Sequence, residues 1–459
     1  MIPPNFITEI ERIVGAPHVR ADAATLLEYG TDALKRGHPA DLVAIPGSAA
    51  EISAIARICH DMRVPLVVRG AGTGYSGGAV PTEGGVVLSV ERLNRIVEVD
   101  PDNLLAVVQP AVITGELQAA VESRGLFYPP DPQSLKESSI GGNVAECAGG
   151  PRAFKYGVTK RYVLGLEAVL PTGEVIRTGG RTVKNVVGYD LTQLLVGSEG
   201  TLAIITEITL RLVPKPPAVA TLRACFADVR AAARAVGALV GRRVVPSALE
   251  LMDRDSLDTV AAYVGERLAP EGTGALLLIE VDGAAAAVEG EADAVAAACR
   301  DVGALEVLRA RSEQEREALW RVRRETSYAL RTIAPLKLNN DVVVPHGRVP
   351  ELIDLVERLR AEYRLRIPSF GHAGDGNIHV NVMVDPADVE AMARATKAVG
   401  ALMEGVVALQ GSISGEHGIG FAKKAYIGLE LSEDVIALMK RVKAAFDPHG
   451  ILNPGKIFP

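Results

Sequence analysis

The chain has 459 residues, 48% of them hydrophobic and 23% charged, with 49 Lys and Arg against 56 Asp and Glu for a formal net charge of -7. That length accommodates two or three domains with large cores, and the acidic balance disfavours nonspecific binding to nucleic acid or to an anionic membrane surface. No stretch reaches the run of about 18 apolar residues that a membrane span needs. The opening Met1-Ile-Pro-Pro-Asn-Phe-Ile-Thr-Glu-Ile-Glu11 has neither the basic nor the apolar region of a signal peptide, so a cytoplasmic location is expected, with no direct membrane insertion.

In chain order, Ser48-Ala-Ala-Glu51 has the pattern of a capping box, opening an amphipathic helix with Ile52, Ile55, Ile58 and Cys59 near one face that ends before Pro65. Leu66-Val-Val-Arg69 reads as a strand running into Gly70; further strands follow at 85–90 and 104–108, then a helix from about 115 to 124 closed by Gly125. The part up to the linker-like Pro214-Lys-Pro-Pro217 is therefore α+β with many glycine turns. Beyond it, alanine-rich helices alternate with strands at 220–226, 275–281 and 305–308, which predicts a second layered domain with helices packed on a sheet. The tail, 446–458, reads as a turn-rich closing segment after a helix.

Arg69-Gly-Ala-Gly-Thr-Gly-Tyr-Ser-Gly-Gly78 contains Gly72-x-Gly74-x-x-Gly77, formally a dinucleotide fingerprint. A Rossmann site needs a helix to start inside that motif, and here Pro81, Gly84 and Gly85 lead to another strand. What remains is the physical content of the glycines: successive backbone N–H groups can point into one concavity suited to phosphate oxygens. A second block, Ser139-Ile-Gly-Gly-Asn-Val-Ala-Glu-Cys-Ala-Gly-Gly150, continues through Lys155-Tyr-Gly-Val-Thr159, and a third turn comes at Gly197-Ser-Glu-Gly-Thr201. That much glycine backbone exceeds the need of one phosphate and implies an extended ligand.

His372-Ala-Gly-Asp-Gly-Asn-Ile-His379 and Glu416-His417 gather three of the eight histidines and a glutamate into glycine-flanked turns. A lone histidine is usually a satisfied loop or core group, but this clustering with Asp375, Asn377 and Asn381 points to a site. Imidazole and carboxylate suit Zn²⁺, Mn²⁺ or Fe²⁺, and three protein ligands leave positions open for a substrate. Period-two alternation places His379, Asn381 and Met383 on one strand face and Ile378, Val380 and Val382 on the other. Cys59, Cys147, Cys225 and Cys299 are scattered, with no spacing that could ligate iron and sulfur, so any such relay must lie on a partner.

These motifs, in order along nearly the whole chain and closing with Asn453-Pro-Gly-Lys456, resemble the FAD-linked oxidases of the vanillyl-alcohol oxidase and p-cresol methylhydroxylase superfamily. Within it they are most similar to glycolate oxidase flavin subunits and to D-lactate and D-2-hydroxyglutarate dehydrogenases. The resemblance implies an FAD-binding domain over 1–215, an inserted substrate domain over 216–414 with an antiparallel sheet covered by helices, and a C-terminal segment, 415–459, returning to the FAD domain. It implies that Arg69, Gly70, Ala71, Gly72, Thr73, Gly74, Gly77 and Gly78 hold the pyrophosphate. It further implies that Pro130, Asp131, Ser139, Gly142, Asn143, Gly149, Tyr156 and Gly157 line the FAD, with Glu199, Gly200 and Asn453 beside its adenosine end or supporting turns. Relatives that attach flavin covalently often carry histidine in the first loop; Thr73 stands there in this chain, so noncovalent FAD is expected.

By the same resemblance, His372, His379 and Glu416 ligate a divalent metal, His417 is the base, Asn381 orients substrate and Arg323 pairs with its carboxylate. The other reading of Arg323 is a solvated helix face beside Arg321 and Arg324. A lysine that serves the distal carboxylate in D-2-hydroxyglutarate enzymes is replaced by Asn339, with Lys337 nearby, which favours a small 2-hydroxyacid such as glycolate or D-lactate. A separate iron-sulfur subunit is the expected electron acceptor and a route to peripheral membrane attachment. From other classes, a zinc hydrolase could use the same ligands, and a noncatalytic flavoprotein subunit could share the fold.

Overall fold

The computed structural model describes Ile2 and residues 5–459; Met1, Pro3 and Pro4, on which part of the reading of the N-terminus rests, lie outside the described residues. Two compact units form, one from residues 1–149, 158–215 and 416–459, the other from 150–157 and 216–415. The segment 150–157 thus groups with the second unit rather than with the glycine-rich residues before it, and the return to the first unit begins at Glu416. A local interaction accounts for the former: Lys155 Nζ donates to Asp282 Oδ1 at 2.5 Å and Tyr156 Oη to Asp282 Oδ2 at 2.7 Å.

In the first unit, strands Val19–Arg20, Leu42–Ala44, Val86–Ser89 and Leu66–Arg69 form one sheet in that spatial order, parallel across its last three members. A five-stranded antiparallel sheet follows, ordered Ile96–Asp100, Leu105–Val108, Ile204–Arg211, Val163–Val169 and Val175–Gly179. Helix Ala49–Met62 starts where Ser48 Oγ accepts the Glu51 amide, while Glu51 Oε2 accepts the amide of Gly47, one residue earlier than a standard capping box would have it. Its Ile52, Ile55 and Cys59 join Phe6, Ile10, Leu42, Leu66 and Leu88 in a core that the C-terminal Ile451 and Leu452 complete. The tail adds along strand Leu66–Arg69, with the Leu66 amide bonded to Ile451 O and the Asn453 amide to Leu66 O.

The second unit is built on a seven-stranded sheet, antiparallel throughout, ordered Glu306–Arg309, Ala218–Phe226, Ala275–Gly283, Ala248–Asp253, Ser369–His372, Asn377–Val384 and Leu336–Val343. Register puts Glu250 opposite His372, Phe370 opposite His379, and Asn339 and Asp341 opposite Asn381 and His379. Cross-strand partners share a face, so these residues line one side. Leu251, Ile279, Ile378, Val380 and Val382 line the other and are almost fully buried. Helices Arg254–Val264 and Glu313–Ala329 cover part of the first side, where Cys225, Met252, Leu276, Leu278 and Phe370 form an apolar cluster with Leu319 and Trp320. Among the described residues no helix is long and apolar enough to cross a membrane.

Replacing Asp282 with Ala removes the common acceptor of Lys155 and Tyr156. Tryptic cleavage after Lys155 is expected to accelerate several-fold relative to cleavage after Arg181, which Glu98 holds in the first unit; an unchanged ratio would show that Asp282 does not tether the segment.

Candidate active site

In the first unit the buried strand Leu66–Arg69 opens into a half-exposed loop. Among the described residues, none of the amides of Gly70, Ala71, Gly72, Thr73 and Gly74 donates a hydrogen bond within the protein, and donors in that state fit pyrophosphate oxygens. The loop glycines are needed for different reasons. Gly72 and Gly77 have φ of 71° and 76°, which L side chains rarely adopt. A Cβ at Gly70 would lie 2.6 Å from Ser139 Oγ, so the first and second glycine blocks are packed together there. Gly74 has neither constraint: its φ is not positive and a Cβ would meet nothing nearer than 4.0 Å, leaving open space beside the backbone.

The other expected cofactor residues of this unit take several positions. Ser139 caps helix Ile140–Glu146 through the Gly142 amide, Asn143 Nδ2 donates to Thr114 Oγ1 at 2.6 Å, and Asp131 is buried. Pro130 O accepts from Gln118 Nε2 at 2.9 Å, and Gly200 has φ 63°, with Asn453 and Val68 each 4.0 Å from where a Cβ would sit. Asn453 Nδ2 ties Gly78 O to Glu199 O, joining the first and third glycine turns to the tail. The Arg69 guanidinium lies against Gly72 of its own loop, where a Cβ would meet it, while its NH1 donates to the carbonyls of Tyr29 and Thr31. Tyr156 and Gly157 fall in the second unit, with the Tyr156 hydroxyl on Asp282.

Glu199 is buried, with φ 53°, and accepts the amides of Ile419 and Gly420, which sets the turn after Glu416-His417. Burial pushes its carboxyl up despite those bonds. Glu146, also raised well above the usual range by burial and then by the charge of Glu199, crowds the same turn: a Cβ at Gly418 would lie 2.3 Å from Glu146 and 3.0 Å from Glu199. Within this unit the His417 ring stacks on Tyr75 of the glycine loop, centroids 5.3 Å apart, and a Cβ on Gly149 would come within 2.9 Å of Glu416 Oε2. A histidine and a carboxylate therefore stand beside the glycine cradle.

In the second unit, His372, His379, Asn381 and Arg323 are all at least 95% buried. Arg323 therefore occupies a core position, while Arg321 is exposed and Arg324 half-buried. Its Nε donates to Glu250 Oε2 at 2.5 Å and its guanidinium lies 4.6 Å from the Phe370 ring centroid. Glu250 Oε1 is 2.6 Å from His372 Nδ1. Burial pushes the Glu250 carboxyl up, but the charges and hydrogen bonds of His372 and Arg323 outweigh it and hold it at about 2. The His372 and His379 rings meet edge-on with centroids 5.4 Å apart, and His379 Nδ1 is 3.7 Å from Asp341 Oδ1. Asp341 also accepts from Asn377 Nδ2 at 2.6 Å and from the amide of Gly415, the residue before Glu416.

Buried imidazoles flanked by carboxylates are a donor set that fits a borderline divalent cation. Asn381 donates to Pro368 O and His379 O and accepts from Asn339, so its amide braces the strands around His379. Glu250 and Asp341 were not singled out from sequence. The available signal was a carboxylate inside an apolar run, Leu249-Glu-Leu-Met252 and Asp341-Val-Val-Val344.

Two loop substitutions separate ligand space from backbone strain. Gly74→Val should fold normally and lose bound flavin, because its side chain enters space that the protein leaves open. Gly72→Val should lose flavin and also melt lower, because its φ is unfavourable and its Cβ meets the Arg69 guanidinium. Full flavin content in Gly74→Val, read from visible absorbance per chain, would place the cradle elsewhere.

Residues 40–179 match the family described as "FAD binding domain", and residues 215–457 match "FAD linked oxidases, C-terminal domain". The chain is 43% identical over 459 residues to the glycolate oxidase subunit GlcD of Bacillus subtilis, covering all of this chain and 97% of the relative. It is 38% identical over 419 residues to a D-lactate dehydrogenase of Archaeoglobus fulgidus, covering 91% of each. The solved structure of p-cresol methylhydroxylase with substrate bound superposes with a TM-score of 0.82 at 17% identity, over 99% of this chain and 96% of that one. With these family matches, the chain belongs to the FAD-linked oxidases, has the fold of p-cresol methylhydroxylase, and is an FAD-binding oxidoreductase.

Proposed function

We propose that this chain oxidises a small 2-hydroxyacid to the 2-oxoacid, with glycolate as the leading substrate and D-lactate or D-2-hydroxyglutarate as the alternative. The observation that carries this reading is the placement, within the first unit, of His417 against Tyr75 of the glycine loop: oxidation of an alcohol at flavin needs a base beside the flavin site. Support for the substrate class comes from the relatives named as a glycolate oxidase subunit and a D-lactate dehydrogenase. The roles follow the resemblance: His372, His379 and Glu416 hold a divalent metal, Arg323 pairs with the substrate carboxylate, Asn381 orients the substrate, and His417 takes the hydroxyl proton. FAD, when bound, supplies the acceptor for the hydride from C2, and a metal cation supplies positive charge against the hydroxyl oxygen.

A short acid is favoured because, by the resemblance, Asn339, which donates to Asn381, replaces the lysine that serves a distal carboxylate in D-2-hydroxyglutarate enzymes. Lys337, two residues earlier on the same strand, donates to Ser327 Oγ at 2.8 Å, and burial, then Arg331, brings its ammonium down to about 8. Anaerobic bleaching of the flavin by glycolate, D- and L-lactate, D-2-hydroxyglutarate and D-malate ranks these substrates. His417→Ala should retain flavin and lose flavin reduction by at least about 100-fold, the scale of general-base catalysis; near-parental single-turnover reduction would take the base role from His417.

Electrons are proposed to leave through a separate iron-sulfur subunit. All four cysteines are free; Cys59, Cys225 and Cys299 are buried, Cys147 is half-buried, and their spacing suits no cluster. The isolated chain should then reduce an artificial dye with hydroxyacid while forming little peroxide, whereas rapid stoichiometric peroxide would make it a self-sufficient oxidase.

A further inference from the structure

We propose that Glu250 is a positioning residue: one buried carboxylate orients His372 through Nδ1 and Arg323 through Nε, so that a metal ligand and a substrate-carboxylate anchor are aligned by the same group. This rests on the roles proposed above for His372 and Arg323. Glu250 has no solvent exposure, so water does not compete for its oxygens. Its strand places it directly opposite His372, and helix Glu313–Ala329 brings Arg323 onto the same sheet face. The two oxygens divide the work, Oε1 to His372 at 2.6 Å and Oε2 to Arg323 at 2.5 Å.

Holding Nδ1 against a carboxylate directs the other ring nitrogen, Nε2, away from Glu250 and raises its basicity, which is what a metal ligand requires. Holding Nε of the guanidinium fixes the plane in which the terminal nitrogens lie, and a bidentate partner for a carboxylate must have that plane set in advance. Glutamine cannot replace this arrangement. It offers one acceptor oxygen, and its NH₂ would face either the Nδ1–H of His372 or the Nε–H of Arg323, donor against donor. A buried ion pair could instead serve only to neutralise Arg323, and that reading makes a different prediction.

The full-length, FAD-loaded, metal-stripped protein is titrated with Mn²⁺ and with Zn²⁺ by calorimetry, flavin content serving as the check on folding. Because Glu250→Gln leaves a buried guanidinium uncompensated and can fail to fold, the decisive comparison is charge-balanced: Arg323→Met against Arg323→Met with Glu250→Gln. Loss of the carboxylate should weaken metal binding by about 10–100-fold in the double variant relative to the single one. Equal affinities would overturn the proposal and leave Glu250 as a counterion. In the metal-saturated enzyme, Glu250→Asp, which keeps the charge but draws the carboxylate back from Arg323, should raise the KM for glycolate more than it lowers kcat, and an unchanged KM would overturn the Arg323 half. Metal affinity unaltered by His372→Ala, or no binding by the parental protein, would overturn the ligand reading itself and the Glu250 proposal with it. Loss of binding in His372→Ala together with equal affinities in the charge-balanced pair would sink Glu250 alone.

Discussion

A carboxylate that has lost all contact with water must be matched by donors and charges in fixed positions, and in the second unit that requirement organises everything around Glu250. Removing such a group from solvent is costly unless the interior returns hydrogen bonds and opposite charge at close range. His372 and Arg323 supply both, and each comes from an element whose placement is set independently, one by strand register and the other by a helix packed on the sheet. Because the partners are buried with it, rotation of His372 or Arg323 would take a close partner from one of the two Glu250 oxygens. The consequence is a polar cluster beside the apolar residues of the same face, and Glu280, also buried there, accepts from Trp320 of the same helix. Asp341 meets the same constraint a few residues away, with Asn377, Gly415 and His379 around it.

The first unit solves a different problem, that of offering backbone donors to an anionic ligand. Strand Leu66–Arg69 is locked on one side by its parallel neighbour and on the other by the returning tail, so the loop after it leaves the sheet from a fixed point. Its amides are not consumed by the fold. Glu199 provides the complementary anchor: a left-handed residue whose carboxylate takes two amides of the segment after His417, so that the turn bearing Glu416 and His417 is held to the same framework as the glycine blocks.

Much of this was legible in the residue pattern. Glycine-rich loops, the helix start capped by Ser48, the strand into Gly70 and the alternation around His379 are local properties, and each appears in the structure because the relevant interaction spans only a few residues. The Rossmann possibility was excluded for the same local reason, and the chain does run from the loop to strand Val86–Ser89 without an intervening helix. Residue type also carried the family resemblance, since the chemistry of a metal, a phosphate or a base restricts which side chains can serve.

The amino-acid order by itself determined which segments are helix, strand or glycine turn, which face of a strand is polar, and that a cofactor-binding oxidoreductase was at hand. Tertiary structure alone decided which polar groups meet. Glu250 lies 122 residues from His372 and 73 from Arg323 in the chain, so nothing in local periodicity could link them. Likewise Arg69 sits at the head of the first glycine loop, yet its side chain donates to carbonyls about forty residues upstream. Tyr156 follows the second glycine block but is claimed by Asp282 of a distant strand. In each case a buried or half-buried polar group takes the nearest partner in space, and sheet register and helix packing, rather than sequence neighbourhood, determine which partner that is.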